Sequence, residues 1–157
     1  MVSRISWLLA GTLLAAAIAG ASEGGFELLS SGEYQSELSA RTKPGAAFVT
    51  RAADLNAPTI NVVKPDARAP IQAPVDIDMH FQAAQGASVN VKTLRILYGW
   101  LGLDITQRIL TAPGVQVSAG GLRASGARLP SGSHKLVVEL ADNLGRTARQ
   151  PFEFTVL

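Results

Sequence analysis

LPSGSHKLVVELADNLGRTARQPFEFTV, residues 129–156, contains two runs that alternate apolar and polar side chains. In the first run Leu136, Val138 and Leu140 fall on one face, and Lys135, Val137, Glu139 and Ala141 on the other. In the second, Phe152, Phe154 and Val156 share a face while Glu153 and Thr155 look outward. Side chains alternate across a strand, so each apolar row is buried as a unit. Between the runs, Asp142-Asn143-Leu144-Gly145 supplies residues that accept turns and positive φ. Leu129-Pro130-Ser131-Gly132 does the same ahead of the first run. The pattern predicts a β-hairpin with one buried face. Pro151 has no N–H, which assigns it to a strand start, an edge or a bulge.

The same register extends upstream. TINVV (59–63) reads as a short strand, and residues 64–74 carry three prolines and read as a loop or edge crossing. In residues 75–81, Val75, Ile77, Met79 and Phe81 alternate with Asp76, Asp78 and His80. TLRILY (93–98) places Leu94, Ile96 and Tyr98 on one face. Gly99-Trp100-Leu101-Gly102 reads as a turn, LDITQRI (103–109) as the returning strand, and residues 115–117 and 122–124 as short strands. About seven short strands at regular spacing, with no convincing helix and no continuous apolar run, predict an all-β antiparallel sandwich of two sheets.

Three regions follow. Residues 1–21 read as a secretory signal: Arg4 precedes an apolar stretch, and Ala19-Gly20-Ala21 fits the small-x-small cleavage rule. The apolar run is shorter than the roughly 20 residues of a spanning helix; an uncleaved anchor is the competing reading. Residues 22–57 are acidic first (Glu23, Glu27, Glu33, Glu37) and basic later (Arg41, Lys43, Arg51). They read as a mostly flexible linker with a short sticky segment, a packed helix being the alternative, because isolated short helices are marginal in water. Residues 58–157 form the sandwich. No further transmembrane span is expected after cleavage.

Cysteine is absent, which removes disulfides, thiolate catalysis, thiolate metal sites and a lipid-modified cysteine. Without Arg4 the chain carries 13 basic and 12 acidic residues, a net charge of +1. The basic residues are scattered and lack interleaved aromatics, which argues against nucleic acid as a partner. Periplasmic or secreted placement follows from the signal.

The stretches LPSGSHKLVVELADNLGRTA and FEFTV resemble the closing hairpin of bacterial immunoglobulin-like domains. In that group a Leu-Pro/Ala-x-Gly-x-His/Tyr stretch leads into a strand, an Asp-x-x-Gly turn and a last strand. TLRILYGWLGLDIT is similar to the same group's central hairpin, and API with PVDIDMHF to its first strands. The chain is also similar to small exported proteins of proteobacteria. The resemblance spans residues 58–157 and implies an immunoglobulin-like sandwich serving as a spacer, adhesion module or accessory domain.

Two candidate sites emerge. Tyr98, Trp100 and Leu101 sit at a Gly-flanked turn, where a displayed aromatic and leucine would mark a site for an envelope protein partner; Trp100 folding back as a core plug is the competing reading. Asp76, Asp78 and His80 project from one face of one strand, about 6.6 Å between neighbours in the row. Oxygen and imidazole ligands of this kind suit zinc or copper, against the plain reading of a solvated polar face. Asp142, Asn143 and Asp104 lack calcium-loop spacing. Ser131, Ser133 and His134 lack a nucleophile elbow. No cofactor is implied and no catalytic residue is assigned.

Cleavage after Ala21 makes a simple prediction. The exported protein should have the intact mass of a chain starting at Ser22; full-length mass in the membrane fraction would instead establish the anchor.

Overall fold

The computed structural model describes residues 25–42 and 55–157. The signal-like residues 1–21 lie outside the described residues, as do 22–24 and 43–54 of the following region. The described chain runs β1 (Phe26–Glu27), α1 (Ser31–Arg41), β2 (Thr59–Lys64), β3 (Val75–Gln82), β4 (Val89–Tyr98), β5 (Leu103–Asp104), α2 (Thr106–Leu110), β6 (Gln116–Ser118), β7 (Gly121–Arg128), β8 (Gly132–Asp142) and β9 (Thr147–Val156).

Two sheets form. The first has the order β1-β7-β3-β2, with β6 also pairing β7, and the second β5-β4-β8-β9. This is an all-β sandwich. In the first sheet β3 and β7 are the inner strands, and in the second β4 and β8 are. Every pair is antiparallel except β1 with β7.

The alternation legible in the sequence fixes the inner faces. Val75, Ile77, Met79 and Phe81 of β3, Leu94, Ile96 and Tyr98 of β4, and Leu136, Val138 and Leu140 of β8 are all buried in one core. Phe154 and Val156 join them, and Phe152 is partly buried against the cluster. The turn at residues 142–145 closes as expected. Asp142 Oδ1 accepts from the N–H groups of Leu144 and Arg146, both at 2.9 Å, and Gly145 takes φ +78°.

One expected strand is corrected. Residues 103–109 do not return as a strand: pairing stops at Asp104 and the chain turns into α2. Asp104 Oδ1 accepts from the Thr106 N–H at 3.0 Å, an Asx turn that starts a helix instead of continuing a ladder. Thr106 Oγ1 then accepts from the Ile96 N–H at 2.8 Å, so the ladder's next bond goes to a side chain.

His134, at the head of β8, is 1% exposed. Its Nε2 lies 2.8 Å from the Pro130 carbonyl oxygen, which only accepts, so Nε2 carries the proton. The bare Nδ1 then accepts from the Tyr98 hydroxyl at 2.7 Å. Tyr34, Tyr98 and Phe154 surround the imidazole with ring centroids at 5.1, 5.9 and 5.5 Å. The imidazole thus ties the head of β8 to the backbone four residues upstream.

Burial pushes the His134 pKa below the usual imidazole value; the Pro130 bond opposes this and the Arg41 charge adds to it. The unfolded chain therefore takes up a proton as pH falls through about 6.5 while the fold resists it. Stability contributed by the neutral imidazole is full above that pH and declines below it. Chemical denaturation midpoints should fall between about pH 7.5 and 5.5, and His134→Gln should flatten that slope. An unchanged slope in the variant would count against a buried neutral imidazole.

Candidate functional site

The 99–102 turn is held from beneath by helix α1. The helix begins with a capping box: Ser30 Oγ accepts from the Glu33 N–H at 3.3 Å, and Glu33 Oε2 accepts from the Ser30 N–H at 2.9 Å. Tyr34, Glu37 and Ala40 form its buried stripe. Glu37 is 2% exposed, and its carboxylate accepts from the backbone N–H groups of Trp100 and Leu101. Arg41 Nε lies 3.6 Å from the same carboxylate, and Arg41 Nη2 donates to the Ser133 carbonyl at 3.1 Å. Gly99, at φ +69°, makes this approach feasible, because a β-carbon there would run into the Glu37 carboxyl group.

Outside the turn, Arg108 of α2 grips Glu33 through two bonds of 2.7 and 2.9 Å and also donates to the Leu28 carbonyl. The Arg108 bond holds Glu33 well below the usual carboxylate range, at about 2. Phe26, Leu28 and Leu29 enter the core directly. The expectation of a mostly flexible linker is therefore corrected for residues 25–42, which are a strand and a helix packed on the sandwich. The capping box and three buried apolar residues supply what an isolated short helix lacks.

The residues named at the turn separate. Tyr98, named with the turn as a partner-contact residue, is 1% exposed and belongs to the core with Leu94 and Ile96; burial pushes its phenol pKa up. Trp100 is half-buried and lies against Lys135, whose Nζ sits 4.1 Å from the ring centroid. It is thus neither a core plug nor a free tip, but a lid on a lysine of the outer face of β8. Leu101 is 63% exposed.

On the other sheet, Asp76 and His80 are exposed and Asp78 is half-buried on the outer face of β3. Asp76 Oδ2 is 3.6 Å from Lys64 Nζ. Asp78 is shared: Oδ1 lies 3.5 Å from His80 Nε2, and Oδ2 lies 3.3 Å from Arg123 Nε. The structure brings Asp78 and His80 together and turns Asp76 to a lysine. Among the described residues no three His, Cys, Asp or Glu side chains converge as a metal cluster.

The weaker candidates disperse. Asp104 sits opposite Leu97 and pairs with Arg95, while Asp142 sits opposite Val89, at the other end of β4. Burial alone would raise Asp142, but its bonds from Arg146 and Leu144 outweigh that and hold it low. Both nitrogens of His134 are engaged, so Ser131 and Ser133 gain no base.

Glu37 is the residue at the turn that apolar patterning does not single out. Its signal was present: Ser30-x-x-Glu33 is a helix start, and the i, i+3, i+6 row from Tyr34 runs through Glu37 to Ala40.

No family model matches the chain, and no curated protein matches it. Among solved structures, the chain is similar to CopC from Methylosinus trichosporium OB3b, with a TM-score of 0.40 and 20% identity over 62% of this chain and 93% of that one. No helix among the described residues is long and apolar enough to cross a membrane.

The Glu37–Gly99 contact makes a thermodynamic prediction. Glu37→Ala leaves two turn N–H groups without their acceptor and should cost about 1–3 kcal/mol. Gly99→Ala should be destabilising through both the positive φ and the collision. In the double variant the collision is gone, so its loss should be smaller than the sum of the singles. Additive losses in urea melts would show that the two sites do not touch.

Proposed function

We propose that the protein is a non-catalytic binding module of the bacterial cell envelope that meets a protein partner at the 99–102 turn. One observation carries this reading: Leu101 is 63% exposed on a turn whose backbone is held by a buried carboxylate from a separate helix. A displayed leucine on a fixed turn loses little conformational freedom when a partner covers it. Trp100 beside it offers an aromatic edge of the type enriched at binding hot spots. The signal-like residues 1–21 support placement in the periplasm or outside the cell. The full engagement of His134 supports the non-catalytic part.

Leu144 is equally exposed, at 63%, in the 142–145 turn, and so serves as a control. A photo-crosslinking residue placed at position 101 of the exported chain should give a discrete adduct in living cells, and one at position 144 should not. Equal labelling at both positions, or none at either, removes the turn as the contact.

A second reading, a periplasmic metal- or ligand-handling protein using Asp76, Asp78 and His80, is favoured by the 3.5 Å approach of Asp78 to His80. A ligand that binds only the folded state raises its melting temperature. A zinc- or copper-dependent rise abolished by His80→Gln, and kept in Leu101→Ser, would support it.

A further inference from the structure

The outer face of the first sheet is organised in cross-strand rows. Asp78 of β3, Arg123 of β7 and Gln116 of β6 are register partners in sequence, and so are His80, Gly121 and Ser118. Gly121 has no side chain, and one could not be added: a β-carbon there would meet the Met79 carbonyl oxygen. The second row therefore has a gap at its centre. A hollow of about 710 Å3 opens over it, walled by His80, Gln82, Gln116, Ser118 and Arg123.

The chemistry of the walls favours an anion over a cation. Both aspartates of β3 already have a basic partner, Lys64 for Asp76 and Arg123 for Asp78. Arg123 meets Asp78 through Nε alone, at 3.3 Å, which orients the guanidinium and leaves its two terminal nitrogens available. A guanidinium fork presented in this way matches a carboxylate in two parallel hydrogen bonds. The Gln82 and Gln116 amides and the Ser118 hydroxyl add donors and acceptors around it. Adjacent strands are about 4.8 Å apart, so the hollow from His80 to Ser118 spans about 10 Å, the size of one sugar ring with its substituents.

We infer that this hollow binds a small hydroxylated carboxylate of the sugar-acid class, with Arg123 taking the carboxylate and the glutamines, Ser118 and His80 taking hydroxyls. The inference stands apart from the 99–102 turn and places an anion, not a metal, on the β3 face.

Amide NMR on the mature chain tests it, with D-glucuronate as probe and glucose, inorganic phosphate and zinc as comparisons. Glucuronate should shift the resonances of Gly120, Gly121 and Arg123 saturably. Arg123→Gln should weaken it at least roughly tenfold, the loss expected when a charge-assisted pair is removed, and Gln116→Ala by less. Glucose should bind more weakly than glucuronate. Leu101→Ser should leave the titration unchanged, which separates this site from the turn. No saturable shift with glucuronate, an equal response to phosphate, or a response to zinc alone would overturn the inference.

Discussion

A neutral imidazole at the head of β8 joins four pieces of chain that are far apart in sequence. Pro130 comes from the corner before the strand, Tyr98 from the end of β4, Tyr34 from helix α1 and Phe154 from β9. The position admits few substitutes. Its side chain must donate to a carbonyl on one edge, accept a hydroxyl on the other, and offer flat faces to aromatic rings. A buried polar group left half-satisfied costs more than one fully bonded. The histidine meets all three demands only while uncharged, and burial keeps it so.

Helix α1 depends on that corner and in turn governs the turn beyond it. Tyr34 stacks toward His134, and one helical turn later Glu37 reaches the amides of Trp100 and Leu101. A buried carboxylate is tolerated only where hydrogen bonds and a cation compensate its lost hydration. Two backbone N–H groups and Arg41 do so here. Gly132, like Gly99, is a point of close approach, since a β-carbon there would run into the Tyr34 hydroxyl. Glycines on the sandwich are thus shaped to a helix that precedes it in the chain.

The sandwich was legible because period-two alternation is a direct record of one-sided burial. The apolar rows of β3, β4 and β8 lie inside residue by residue. LDITQRI reads as a returning strand because Leu103 and Ile105 alternate with polar residues, yet Asp104 and Thr106 divert the backbone into a helix through local hydrogen bonds. Helix α1 is an alternative at the level of sequence because an isolated helix that short is marginal in water, and its buried face runs through a glutamate, Glu37. Nearness to the turn groups Tyr98 with the contact residues of the tip, although its alternation with Leu94 and Ile96 points inward, where it lies. Asp76, Asp78 and His80 alternate with the buried row of β3 and so lie on its outer face. What sequence alone did not reveal is that Arg123 arrives beside it from 45 residues away.

The ends of the sheets have a consequence for behaviour in a crowded compartment. Unpaired strand edges invite other chains to add on, and natural sheets interrupt them. The outer side of β7 is taken in two halves, by β6 at residues 121–123 and by β1 at residues 127–128. On β9, Pro151 removes a donor, and Ile71 bonds to Thr155 and Leu157 at 2.9 and 2.8 Å. β5 is two residues long, and the β2 ladder shifts register between Val62 and Lys64. A neighbouring copy arriving at β9 meets an edge interrupted at Pro151 and covered at residues 155–157. Resistance to fibril-like stacking is thereby written into the same irregularities that shape the fold, and the two-residue N-terminal strand adds to it by covering residues 127–128 of β7.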